Sequence, residues 1–139
     1  MEQQDYLMRQ FDILGRVLGR MLSDLVGLKS QGKMSDGIEV VTQALKSELD
    51  IDINELVDIP TNDFVEFLVS EKDYTNDNLD KLAEILLMIA DHEEDEGWSR
   101  KLYEKVLTIY LYLEETDNVF SLDRQWKIER INKRLYPNA

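Results

Sequence analysis

Apolar side chains recur at helical spacing along almost the whole chain. Leu7, Phe11, Leu14, Leu18, Met21, Leu25 and Leu28 alternate steps of four and three, which predicts one long helix over residues 3–29. Arg9, Arg16 and Arg20 lie opposite this stripe, and Asp5–Arg9, Asp12–Arg16 and Arg20–Asp24 are each spaced i,i+4. "LKSQGKMSDG" then stops the helix. Met34, Ile38, Val41, Leu45 and Leu49 predict a second helix over 36–49. "DIDINELVDIP" opens with strand-like alternation but has no strand to pair with, so it reads as a turn and a short helix.

Thr61 is positioned to cap a helix over 62–71 that buries Phe64, Phe67 and Leu68. Thr75 is positioned to cap the next, with Tyr74 and Leu79 as a hydrophobic staple. That helix, "NLDKLAEILLMIADH", is apolar around much of its girth and belongs at the centre of the fold. A long helix over 98–116 follows; its "VLTIYLYL" stretch has strand-forming residues, but "SRKLYEKV" keeps helical period. Ser121 caps a last helix over 122–136, with Ile128, Ile131 and Leu135 inward. The expected fold is therefore a single all-α domain, an array of six or seven helices over 1–139. Residues 1–72 form its N-terminal helices, and 73–136 form a hairpin plus a capping helix.

Gly15, Gly19, Ser23 and Gly27 stand four apart inside the first helix, where each glycine costs about 1 kcal/mol relative to alanine. A row of small residues lets a second backbone approach closely, and close packing is the expected compensation. A hinge is the functional alternative. The alternating charge on the polar face argues against a helix lying on a membrane surface.

Length and composition narrow the function classes. The chain has 139 residues, is 43% hydrophobic and contains no cysteine, so a real core is available while disulfides and thiolate chemistry are not. No apolar run approaches the roughly 18 residues of a membrane span, and the first residues do not resemble a signal peptide. A cytoplasmic protein with no membrane association is expected. The net charge is −13, and residues 35–96 hold three basic against nineteen acidic side chains. Such a surface repels nucleic acid and attracts basic partners. Residues 121–139 run the other way, with five basic against two acidic.

Candidate chemistry is sparse. His92 is the single histidine, set among acidic residues in "ADHEEDEG", but adjacent helical residues do not face one metal. "DYTNDNLDKLAE" has the length of a calcium-binding loop, yet Asn78 stands in place of glycine and Lys81 at a ligand position. No metal site and no cofactor are expected. Without cysteine, and without a glycine loop ahead of a helix, no catalytic residues are assigned and the chain is read as a non-enzyme. Trp126 lies on the side of the last helix away from Ile128, Ile131 and Leu135, with Arg130 four residues on, spaced to stack on its indole. Leu111 and Tyr112 stand off the main apolar face of the preceding helix. Trp126, Arg130, Leu111 and Tyr112 are the candidate partner-binding residues.

"LAEILLMIADHEEDEGWSRKLYEKVLTIYLYLEE" resembles a tetratricopeptide-type helical hairpin. Leu82, Ala83 and Leu86 stand for the first helix's Leu-Gly-x-x-Tyr; Ser99, Tyr103 and Val106 stand for the small–aromatic–small pattern of the second. No second copy follows at the repeat's period of about 34 residues. The chain as a whole is similar to a family of small bacterial helical proteins of unknown function, through "QDYLMRQ", "KLAEILLMIADHEEDEG" and "FSLDRQWKIERI". The resemblance implies a bacterial cytoplasmic protein with a tetratricopeptide-like C-terminal half, and it supplies no activity to carry over. The leading expectation is a protein-interaction or adaptor module with a protein partner, a second copy of itself being one candidate. The alternative is a helical protein that binds a small molecule or metal.

Overall fold

The computed structural model describes the backbone of residues 2–138 and the side chains of residues 13–138. Seven helices make up these residues: α1 Glu2–Ser30, α2 Met34–Leu49, α3 Ile53–Asp58, α4 Thr61–Lys72, α5 Asn76–His92, α6 Glu96–Thr116 and α7 Leu122–Leu135. No strand occurs among them, so the ambiguous 50–60 and 106–113 stretches resolve as expected. The helices form one body. α5 packs on α6 and α1; α6 carries α7 on one part of its surface and α4 and α3 on others; α2 rests on α1 and α5. The side chains of Leu7, Phe11, Asp5, Arg9 and Asp12 lie outside the described residues.

Burial follows the apolar pattern. Leu18, Met21 and Leu25 seat α1; Val41 and Leu45 seat α2; Phe64 and Leu68 seat α4. α5 buries residues around most of its circumference, Leu79, Leu82, Ile85, Leu86 and Ile89 among them, which is why it takes the centre. On α7, Ile131 and Leu135 are buried and Ile128 is half-buried at the core edge.

Local signals set the helix ends. Gly32, at φ +73°, closes α1 in a Schellman turn: the Lys33 amide donates to the Leu28 carbonyl (2.8 Å) and the Gly32 amide to Lys29 (3.1 Å). Asp50 and Asp73 end α2 and α4 in the left-handed region, at φ 54° and 58°. Both follow the same Ser-Glu-x-Asp run, residues 47–50 and 70–73, and each is followed by an inward residue, Ile51 and Tyr74. Asp52, Thr75, Asp95 and Ser121 cap α3, α5, α6 and α7 through their side-chain oxygens. Thr61 does not cap α4. The Asp63 amide bonds to the Pro60 carbonyl at 2.9 Å, so Pro60 takes the capping position and Thr61 is already helical.

The glycine row is corrected. A Cβ at Gly19 or Gly27 would meet nothing within 4 Å, and Ser23 is exposed, so no backbone approaches there. Gly15 alone has a near neighbour, Asn78 Oδ1 at 3.1 Å. The close approach lies at Gly37, where a Cβ would stand 3.1 Å from Leu25 and 3.2 Å from Leu28 of α1. Arg20 also departs from the expected ladder: its guanidinium reaches across to Glu48 on α2.

Candidate functional site

The corner between α6 and α7 collects the most exposed apolar side chains of the described residues. α6 stops at Thr116, and Asp117 follows; its Oδ1 accepts from the Val119 amide at 3.2 Å. Ser121 Oγ accepts from the Arg124 amide at 3.1 Å and starts α7. The Arg124 side chain then turns back under the connection. Its Nε donates to Glu114 Oε1 at 2.7 Å, Nη1 to Asp117 Oδ2 at 3.4 Å and Nη2 to the Val119 carbonyl at 3.3 Å. Gln125 adds a 2.7 Å bond to the other oxygen of Glu114.

Arg124 is only 6% exposed. Burial alone would lower its pKa; the carboxylates of Glu114 and Asp117 outweigh that and raise it. The guanidinium holds the turn at Asp117 and at the Val119 carbonyl and ties it to Glu114 in the last turn of α6.

The inner side of the turn is therefore occupied by polar groups, and its apolar side chains point outward. Val119 is 70% exposed, Phe120 72%, Leu122 56% and Trp126 65%. Leu122 and Trp126 are i,i+4 on one face of α7. Below them α7 is tied to α5: Lys127 Nζ lies 3.1 Å from Glu84 Oε1 and 2.8 Å from Asp123 Oδ2. Burial opposes the charge on Lys127, but these two hydrogen bonds win and raise its pKa.

The four sequence-derived residues separate here. Trp126 and Leu111 are exposed, while Tyr112 is half-buried against the core. Arg130 does not stack on Trp126. Its Nη1 bonds to Asp91 Oδ1 on α5 at 2.8 Å, and that hydrogen bond raises its pKa. A carboxylate within reach outcompetes an exposed indole for a guanidinium. Val119 and Phe120 were missed because a helical period skips the residues of a connection, Leu122 because it lies off the inward stripe of α7, and Arg124 because a cation on that stripe reads as a surface residue. The signal that finds them is an apolar pair, Val119–Phe120, between two helix boundaries.

Two further clefts are polar or mixed. One, of about 370 Å³, lies between the start of α6 and the end of α7 and is lined by Glu93, Glu96, Ser99, Arg100, Tyr103 and Arg134. Three of its polar groups bond internally: Arg100 donates to the Leu135 carbonyl (2.9 Å), Ser99 to the Ala90 carbonyl (2.9 Å) and Tyr103 to Asp91 (2.6 Å). The other lies beside α3 and α4 and is described below. His92 Nε2 is 3.0 Å from Ser35 Oγ, and among the described residues no three His, Cys, Asp or Glu side chains converge on a metal-sized site. The twelve residues from Asp73 to Glu84 are helical from Asn76, which is incompatible with a calcium loop. No described helix is long and apolar enough to cross a membrane. Comparisons with protein families, characterised proteins and solved structures found no match to this chain.

Proposed function

We propose that this chain is a non-catalytic protein-interaction or adaptor module with its contact surface at the α6–α7 corner and Trp126 at the centre. One observation carries the reading: Val119, Phe120, Leu122 and Trp126 stand in water within eight consecutive positions, at a turn that buried Arg124 bonds at Asp117 and Val119. Single exposed apolar residues are ordinary on protein surfaces, whereas a cluster marks an interaction site. A turn that is already ordered loses little conformational entropy on binding.

The α5–α6 hairpin supports a tetratricopeptide-like description of the C-terminal half. Leu82, Ala83 and Leu86 of α5 and Ser99, Tyr103 and Val106 of α6, the positions that carry the resemblance, are all buried. In this reading the protein works in a bacterial cytoplasm, with a protein partner and with neither nucleic acid nor membrane. The small-molecule alternative would use the Arg100–Tyr103–Arg134 cleft. The internal bonds of Arg100 and Tyr103 favour the interaction reading.

Trp126→Ala tests it. The exposed indole should cost the fold no more than about 0.5–1 kcal/mol when removed. A partner captured from the host by the wild-type protein, then purified and titrated, should bind the variant about 2 kcal/mol more weakly, as interface anchors do. Equal affinity in wild type and variant would reject the surface. A loss of stability near the 3–5 kcal/mol of a buried aromatic would show that Trp126 belongs to the core.

A further inference from the structure

A groove of about 210 Å³ opens beside α3 and α4, on residues that the α6–α7 corner does not share. Its floor is apolar, with Ile51 and Leu56 buried and Ile59 and Phe67 half-buried. Its rim is acidic, formed by Asp50, Asp52 and Glu55. The surrounding segment, residues 48–73, holds nine acidic side chains and a single basic one, Lys72. The Asp50 side chain is 98% exposed.

Lys72 shows what such a groove attracts. Its Nζ donates to the Asp50 carbonyl at 3.1 Å, lies 3.4 Å from the Asp50 carboxylate and sits 5.9 Å from the centre of the Phe67 ring. A carbonyl, a carboxylate and an aromatic face are the groups that recognise an ammonium ion together. The chain's own lysine thus covers one wall of the groove.

We infer that this groove docks a basic amphipathic segment of a partner protein. An apolar side chain of that segment seats on Ile59 and Phe67, and its lysine or arginine heads meet Asp50, Asp52 and Glu55. Charge selects the occupant. A second copy would bring another net −13 against this one, and a nucleic acid would be repelled by the same rim. A neutral apolar segment would cover three carboxylates without pairing them. Lys72 competes with the incoming cation for Asp50 and Phe67. The inference stands independently of the Trp126 surface.

The probe is a fluorescein-labelled, helix-forming peptide of leucine and lysine. It is compared by anisotropy with a leucine–glutamate counterpart and with a glycine–serine peptide carrying the same lysines. The leucine–lysine peptide should bind saturably, and the other two at least about tenfold more weakly. The double variant Asp50→Asn/Glu55→Gln keeps side-chain shape, and asparagine tolerates the left-handed position of residue 50. It should lose about tenfold in affinity, whereas Glu39→Gln/Glu94→Gln, with the same charge change outside the groove, should lose less than about twofold. Lys72→Ala should bind about threefold tighter.

Glu55→Gln alone repeats the groove test should the double variant melt early. Equal losses in the groove and control variants would overturn the inference in favour of diffuse electrostatics. Tight binding of the glycine–serine peptide would overturn the apolar seat, and unchanged or weaker binding by Lys72→Ala would overturn the competition. Sedimentation should show a monomer. A dimer dissolved by Asp50→Asn/Glu55→Gln would give the groove to a second copy instead.

Discussion

Tyr110 and Tyr74 carry polar hydroxyls into the interior. Both are buried, and among the described residues neither hydroxyl has a hydrogen-bond partner. Burial pushes both phenols well above their ordinary range; around Tyr110 the carboxylates of Asp80, Glu84 and Asp123 add to it. An unpaired buried donor costs about 1–3 kcal/mol, and phenylalanine keeps the ring while removing that cost. Tyr110→Phe and Tyr74→Phe should each leave stability unchanged or raise it by up to about 1 kcal/mol in urea unfolding. A loss above about 1 kcal/mol would mean that the hydroxyls are bonded, by water for example. The pH dependence has a definite sign. The folded-state values lie above the unfolded value of about 10, so these groups' contribution is full below that pH and is lost as pH climbs toward the folded values. The phenylalanine variants should therefore lose less stability in alkali than the wild type. Trp126 is the opposite case: its exposure follows from a helical wheel alone. The apolar period at 14–28 likewise says which side of α1 faces inward, but no pattern says whether a buried tyrosine finds a partner.

At the level of elements, glycine decides between two accounts of helix contact. Gly19 faces open space, so alanine there should gain helix propensity and raise stability by about 0.5–1 kcal/mol. Gly37 faces the Leu28 Cβ at 3.2 Å, an atom fixed to the α1 backbone, so alanine there must push α1 and α2 apart. Gly37→Ala should lower stability by about 1 kcal/mol or more despite its better propensity. Thermal melts of the two variants should move in opposite directions, and movement together would reject the close α1–α2 contact. The sequence makes the row at 15, 19, 23 and 27 visible and Gly37 inconspicuous, because spacing along one helix does not reveal where a second helix touches it. Caps were more legible. Thr75 and Ser121 act as their side-chain chemistry dictates. Thr61 lost its role to Pro60, whose carbonyl was already placed to accept the first amide. The exposed corner at 117–122 was the least legible, since its geometry comes from Arg124, a residue that reads as an ordinary surface cation until Glu114 and Asp117 are found beside it.

Across the whole molecule, charge is segregated and the fold uses the segregation. The acidic stretch at 35–96 supplies Glu84 and Asp91, and the basic α7 docks on them through Lys127 and Arg130. The other ion pairs are mostly exposed, as in Lys101–Asp58 and Lys133–Glu129. Such pairs contribute about 0–1 kcal/mol each and weaken in salt. Against them stands the mutual repulsion of nineteen acidic side chains, relieved by only three basic ones in the same stretch. Salt screens both effects, and its net sign shows which is larger. The excess of repulsion should win, so the melting temperature at pH 7 should rise by about 3 °C or more between roughly 20 and 300 mM NaCl. Near the isoelectric point of 4.4 the carboxylates are partly protonated, the net charge vanishes and the rise should disappear. A melting temperature that falls with salt at pH 7 would place the larger electrostatic contribution in the α5–α7 pairs. Lys127→Met, which removes one of those pairs, should then flatten the fall; under the repulsion account the same variant leaves the rise in place or steepens it.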